Sequence, residues 1–308
     1  MSDSVPGEQS AEGSQPACFY SDGFRIAADL YLPVSGKAGE RHPAIVLCHG
    51  FGGLRRFWLP DFARFFAAAG YAVLAFDHRG TGDSEGPKAS LNPFGQVADI
   101  RSAITYLETR SEVIAGQICL YGISYGGGNA AYAASVDSRA AAMACIVGWG
   151  NGERWLKSLQ REWEWIEFKK RVIADRHNRV LTGQGEIADT SEILVRDPHS
   201  FEHEAAARAA NPNRLNFITL ESADTIMACK PEDFIHQVSP RPCLFVGVEE
   251  DTLVPTQEIL SLYEKAREPK QLYLFPAIGH HAIYYGDELP KLLGMGRDFF
   301  DQALGRRS

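Results

Sequence analysis

Gly122-Ile123-Ser124-Tyr125-Gly126 is a G-x-S-x-G pentapeptide set directly behind the apolar run Ile118 to Tyr121. The Gly- and Ala-rich segment from Gly127 to Ser135 follows it. A strand entering such a turn and a helix leaving it would hold the serine on a sharp, strained bend, its hydroxyl exposed above a sheet. The flanking glycines make that bend tolerable. A serine hydroxyl is a poor nucleophile near neutral pH, and needs an imidazole to take its proton and a carboxylate to orient the imidazole. Both occur downstream. The run Cys243 to Val248 ends in Glu249-Glu250-Asp251, and the run Leu272 to Phe275 leads to Gly279-His280-His281. Serine first, then acid, then histidine is the chain order that serves a strand-to-helix serine elbow.

Positioning these groups requires a sheet whose strand ends lie side by side. Phe24 to Leu32 alternates as a half-buried antiparallel strand, whereas Pro43 to Cys48, Tyr71 to Phe76 and Ala141 to Val147 are short, continuous apolar runs. Helical spacing appears from Phe57 to Ala69, closed by Gly70, and from Pro93 to Thr109 through Val97, Ile100, Ile104 and Leu107. Buried strands alternating with helices predict a largely parallel α/β sheet covered on both faces, with ligands bound beyond the strand C-termini. Between 148 and 239 the pattern turns helical, charged and aromatic. It reads as an inserted cap, in which Trp155, Leu159, Trp163 and Ile166 predict one long amphipathic helix over Glu153 to Leu181. The division expected is a disordered tail over 1–16, a core over 17–147 and 240–308, and a helical cap over 148–239.

Five segments occur in one order: His49-Gly50-Phe51-Gly52-Gly53, Phe76 through Ser84, the serine elbow, Asp251 with Val254-Pro255, and Gly279-His280. In these the chain resembles the α/β-hydrolases from Phe24 to Leu304, the cap excepted. Within that family it is similar to the esterase branch, dienelactone-hydrolase-like or acetyl-xylan-esterase-like, with an insertion after the sixth strand of the main sheet. The resemblance implies Ser124 as nucleophile, His280 as general base and then acid, and Asp251 as the residue that orients the imidazole. It implies an oxyanion hole from the backbone N–H groups of Phe51 and Tyr125, carboxylic ester hydrolysis through an acyl-enzyme, and no metal or organic cofactor. His281 rivals His280, Glu249 and Glu250 rival Asp251, and His49 and His78 read as structural. A thioester, lactone or amide hydrolase or an acyltransferase would use the same triad, and a non-enzymatic binding module would use the same fold.

Trp149, Trp155 and Trp163, together with His281, are candidate substrate-binding residues, with cap packing or a homodimer interface as the alternative use of the tryptophans. Arg161, Lys169, Lys170 and Arg171 read as a solvated face, or as an attraction for a carboxylated substrate. His199 and His203 share helical spacing but lack an evident third metal ligand. With 308 residues, 45% hydrophobic and 23% charged, the chain can bury a sizeable core, and its net charge of −8 argues against nucleic acid or an anionic membrane as partner. Small-molecule esters are the expected partners. The six cysteines show no C-x-x-C spacing and read as reduced core residues. The polar start lacks the basic and apolar regions of a signal peptide, and no stretch approaches the roughly 20 apolar residues of a membrane span, so a cytoplasmic location is expected.

Overall fold

A computed structural model describes residues 11–33, 39–211 and 214–306. In chain order the elements are β1 (Gln15–Ser21), β2 (Phe24–Tyr31), β3 (His42–Cys48), α1 (Leu59–Ala68), β4 (Ala72–Phe76), α2 (Pro93–Glu108), β5 (Val113–Ile123), α3 (Tyr125–Val136) and β6 (Ala140–Ile146). The insertion follows as α4 (Gly152–Ser158), α5 (Glu162–Thr182), β7 (Ile187–Asp189), α6 (Thr190–Ile193), α7 (Pro198–Ala210), β8 (Phe217–Thr219) and α8 (Leu220–Ala228). The chain then returns to the core with β9 (Cys243–Val248), α9 (Thr256–Lys265), β10 (Lys270–Phe275) and α10 (Glu288–Ala303).

Among the described residues, eight strands form one sheet in the order β1-β2-β4-β3-β5-β6-β9-β10. β1 and β2 pair antiparallel, as do β2 and β4, and the remaining neighbours are parallel. Because strand side chains alternate, each central strand feeds two cores. Val46, Leu74 and Leu120 face Ile100 and Ile104 of α2 and the alanines of α3, whereas Ile45, Val73 and Tyr121 face Phe62 and Phe66 of α1 and Phe300 of α10. Asn92 fixes the start of α2 by accepting from Phe94 N–H at 3.0 Å, and Gly183, at φ 73, ends α5 in the left-handed conformation.

Two expectations need correction. Of the tail expected over 1–16, residues 1–10 lie outside the described part, and Gln15 and Pro16 already pair with Leu30 and Asp29 in β1. The single helix expected over Glu153 to Leu181 is two helices. Asn151 caps α4 by accepting from Arg154 N–H at 3.1 Å, and a fresh start follows where the Glu164 carboxylate accepts from Arg161 N–H at 2.9 Å. The apolar spacing runs straight across this break, so periodicity alone does not register it. A third core joins insertion to sheet, made of Trp155, Trp165, Phe168 and Ile218 from the insertion with Phe51, Tyr125 and Leu253 from the core loops.

Candidate active site

Ser124 joins β5 to α3 with φ 54 and ψ −121, a conformation that non-glycine residues rarely adopt. Its own N–H donates to Ile146 O at 2.8 Å, and its carbonyl accepts from Gly127 N–H at 2.8 Å, which pins the bend on both sides. The elbow glycines are needed for space. A Cβ on Gly122 would overlap the Gly126 carbonyl and stand 2.7 Å from Ala130 Cβ, and one on Gly126 would overlap the carbonyl oxygens of Cys48 and His49.

The loops after β9 and β10 are tied together by Glu249 N–H to Phe275 O at 3.0 Å and Glu250 N–H to Ile278 O at 3.1 Å. That pairing carries Asp251 and His280 to one place. His280 Nε2 lies 2.9 Å from Ser124 Oγ, and its Nδ1 lies 2.8 Å from Asp251 Oδ2. A carboxylate can only accept, so Nδ1 carries the hydrogen and Nε2 presents its lone pair to the serine. Asp251 also accepts from Leu253 N–H at 3.0 Å and Val254 N–H at 2.7 Å, while both Asp251 and His280 are buried. Glu249 and Glu250 are exposed. His281 lines the pocket, its ring stacked on that of His203 at 4.0 Å.

The loop from His49 to Trp58 covers the other side of the serine, so closely that a Cβ on Gly50 would meet Ser124 Cβ at 3.3 Å. His49 Nδ1–H donates to the Gly50 carbonyl at 2.9 Å, and its Nε2 accepts from His78 N–H at 3.4 Å. Burial lowers the His49 pKa to about 3, reinforced by the neighbouring His78, so the ring is neutral. Arg55, wholly buried, braces the same loop: its backbone N–H donates to Asp77 Oδ1 at 2.7 Å, its side chain pairs with Asp77, and it reaches Asp29 at 3.2 Å and Asp83 at 2.8 Å. Tyr125 is the first residue of α3, so its N–H has no acceptor within the helix. Among the described residues, Phe51 N–H has no backbone acceptor either.

These groups open onto a small pocket. Phe51, Trp58, Ile123, Leu194 and Leu253 supply apolar walls, and Arg196, Glu204 and Arg214 reach in from the insertion. The tryptophans expected as a substrate wall lie elsewhere. Trp149 and Trp155 are buried and stacked at 5.6 Å, where their indole N–H groups donate to Tyr125 O at 3.0 Å and Leu253 O at 2.9 Å. They grip the chain beside Ser124 and Asp251 instead of lining the pocket, Trp149 from the segment between β6 and α4 and Trp155 from α4. Trp163 is 62% exposed on α5, beyond the break that separates it from Trp155. The basic residues of α5 are also occupied: Lys169 pairs with Glu153, Lys170 with Glu167, and Arg171 with Glu186 and Glu192. The His199 side chain is outside the described part, and among the described residues no group of three His, Cys, Asp or Glu is placed to hold a metal ion. No described helix is long and apolar enough to cross a membrane.

A family model described as the alpha/beta hydrolase family matches residues 45–290, spanning the elbow and both loops that carry Asp251 and His280. The chain belongs to the α/β-hydrolase family. Among relatives of this α/β-hydrolase, the quorum-quenching protein AidA of Acinetobacter baumannii is 26% identical, over 93% of this chain and 94% of that protein. A thiohydrolase of Eupenicillium brefeldianum is 25% identical, over 98% of each. The crystal structure of the alpha/beta hydrolase GrgF from Penicillium sp. sh18 superposes with a TM-score of 0.81 at 23% identity, over 95% of this chain and 99% of that one, a likeness of fold. Sequence reading of this α/β-hydrolase missed Arg196, Glu204, Arg214 and Tyr284 as pocket residues. Their only signal was a charge or a phenol within the insertion and the loop before α10, with no motif around it.

Proposed function

We propose that the chain is a serine hydrolase that cleaves a carboxylic ester through an acyl-enzyme. Ser124 attacks the ester carbonyl as His280 Nε2 takes its proton, the imidazolium returns that proton to the leaving alcohol, and water activated by His280 releases the acid. Asp251 holds the ring with Nε2 toward the serine, and the N–H groups of Phe51 and Tyr125 receive the oxyanion, where each donor is worth roughly 10²- to 10³-fold in rate. The observation that carries this reading is the continuous hydrogen-bonded path from Ser124 Oγ through His280 to Asp251. The apolar walls favour a small or medium-sized acyl or alcohol group.

The test is covalent labelling by a fluorophosphonate. An adduct on Ser124 that disappears in Ser124→Ala is expected, and an unlabelled wild-type protein would overturn the reading. The relative described as a thiohydrolase supports a second reading, thioester cleavage by the same groups. Matched oxygen and sulfur esters of one acid separate the two by their kcat/KM ratio.

A further inference from the structure

One cation in the pocket lacks a carboxylate partner among the described residues. Arg196, half-buried in the loop between α6 and α7, lines the same pocket as Ser124 and, among the described residues, makes a single hydrogen bond, from Nη1 to the Leu194 carbonyl at 3.1 Å. No described carboxylate forms an ion pair with it. Glu204 is close enough to act on its charge, but both oxygens of Glu204 are engaged. Oε1 accepts from Arg208 at 3.2 Å and Arg214 at 3.0 Å, and Oε2 accepts from Arg214 at 2.7 Å. Arg208 also takes Asp189, at 3.3 Å. Three guanidinium groups thus share two carboxylates, and the surplus charge is on Arg196.

An uncompensated cation beside apolar walls is unfavourable. Burial lowers the pKa of Arg196 to about 10, with Arg208 and Arg214 adding to the effect and Glu204 opposing it, so the group stays charged near neutral pH. A ligand that brings anionic oxygens would satisfy it. Leu194 and Leu253 bound the space shared with Ser124, which suits an apolar stretch between the ester and the anion.

We propose that Arg196 anchors a carboxylate carried by the substrate, so that the ester cleaved at Ser124 belongs to an amphipathic molecule with an anionic end. This rests on Ser124 being the nucleophile. It assigns the two ends of the substrate to different parts of the chain, the ester to the core and the anion to the insertion.

The experiment compares mono-4-nitrophenyl esters of adipate, suberate and sebacate with their neutral methyl-capped counterparts, placing the charge on the acyl side. A second arm compares 4-acetoxybenzoate with its methyl ester, placing the charge on the alcohol side. Both are run on the full chain, on Arg196→Gln and on Arg196→Lys. In at least one pair the wild type is expected to favour the anionic ester by about tenfold or more in kcat/KM, the scale of a charged hydrogen bond. That ratio falls by about the same factor in Arg196→Gln and recovers in part in Arg196→Lys. A wild-type ratio near one in every pair, or a preference that survives Arg196→Gln, overturns the anchor. Fluorophosphonate labelling of the same preparations separates the failures: a protein that labels at Ser124 but shows no anionic preference loses the anchor alone, whereas one that does not label loses both readings.

Discussion

At the scale of single residues, the geometry separates neighbours that the sequence left paired. His280 joins Ser124 to Asp251, while His281 stacks on His203. Ser124→Ala and His280→Ala are expected to lower kcat by about 10⁶-fold with the fold retained, as in triads generally. His281→Ala should act on KM more than on kcat, which steady-state kinetics on one nitrophenyl ester will report. His49 gives a second expectation, in stability. Unfolded, it takes a proton near its ordinary 6.5, but in the fold only near 3. Between these values the unfolded chain binds the extra proton, so stability falls as the pH drops through the window, by at most about 1.4 kcal/mol per pH unit, and is untouched above it. His49→Asn keeps a donor for the Gly50 carbonyl but cannot titrate. Urea unfolding between pH 6.5 and 4 should show the variant losing stability less steeply than the wild type. The chemistry-bearing residues were legible because each follows a short apolar strand in a motif. Arg196 was not, since its significance comes from carboxylates already taken by other residues.

Elements explain why the motif has its spacing. The elbow glycines leave room for the Gly126 carbonyl beside β5 and for the β3 carbonyl of Cys48 beside α3. Gly126→Ala has no flexible side chain to push aside, only backbone, so a loss of at least about 3 kcal/mol is expected, at the upper end for overpacking. Thermal unfolding of the purified variant, or its failure to accumulate folded, is the measurement. Continuous apolar runs reveal β3 to β6 and β9, since strands covered on both faces need such runs, whereas the edge strand β10 leaves Gln271 and Tyr273 exposed. The insertion was less readable for two physical reasons. Leu159 maintains helical spacing across the break between α4 and α5, and β7 and β8, at three residues each, are too short to display a period. The orientation of Trp149, Trp155 and Trp163 is not legible in the sequence, because composition reports that aromatic rings gather and says nothing of which way the backbone turns them.

For the whole molecule, the pocket lies between the C-terminal edge of the sheet and the insertion, with walls from both. The space it encloses is small and should limit the acyl group. Across 4-nitrophenyl esters from acetate to palmitate, kcat/KM is expected to peak at about four to eight carbons, because a pocket holds its ligand by burying most of it. A maximum at palmitate would sink that expectation. No local pattern could have supplied this enclosure, because the contacts that make it span the chain: Arg214 Nη2 donates at 3.3 Å to the carbonyl of Phe51, 163 positions earlier. That bond has a consequence for how such a protein can change. The peptide it holds leads straight from the residue whose N–H is proposed as an oxyanion donor, so remodelling the insertion also tugs on the loop beside Ser124. On the proposed mechanism, a lineage or an engineer exchanging the insertion for new tastes is expected to need this tether, since without it altered selectivity would arrive together with slower turnover.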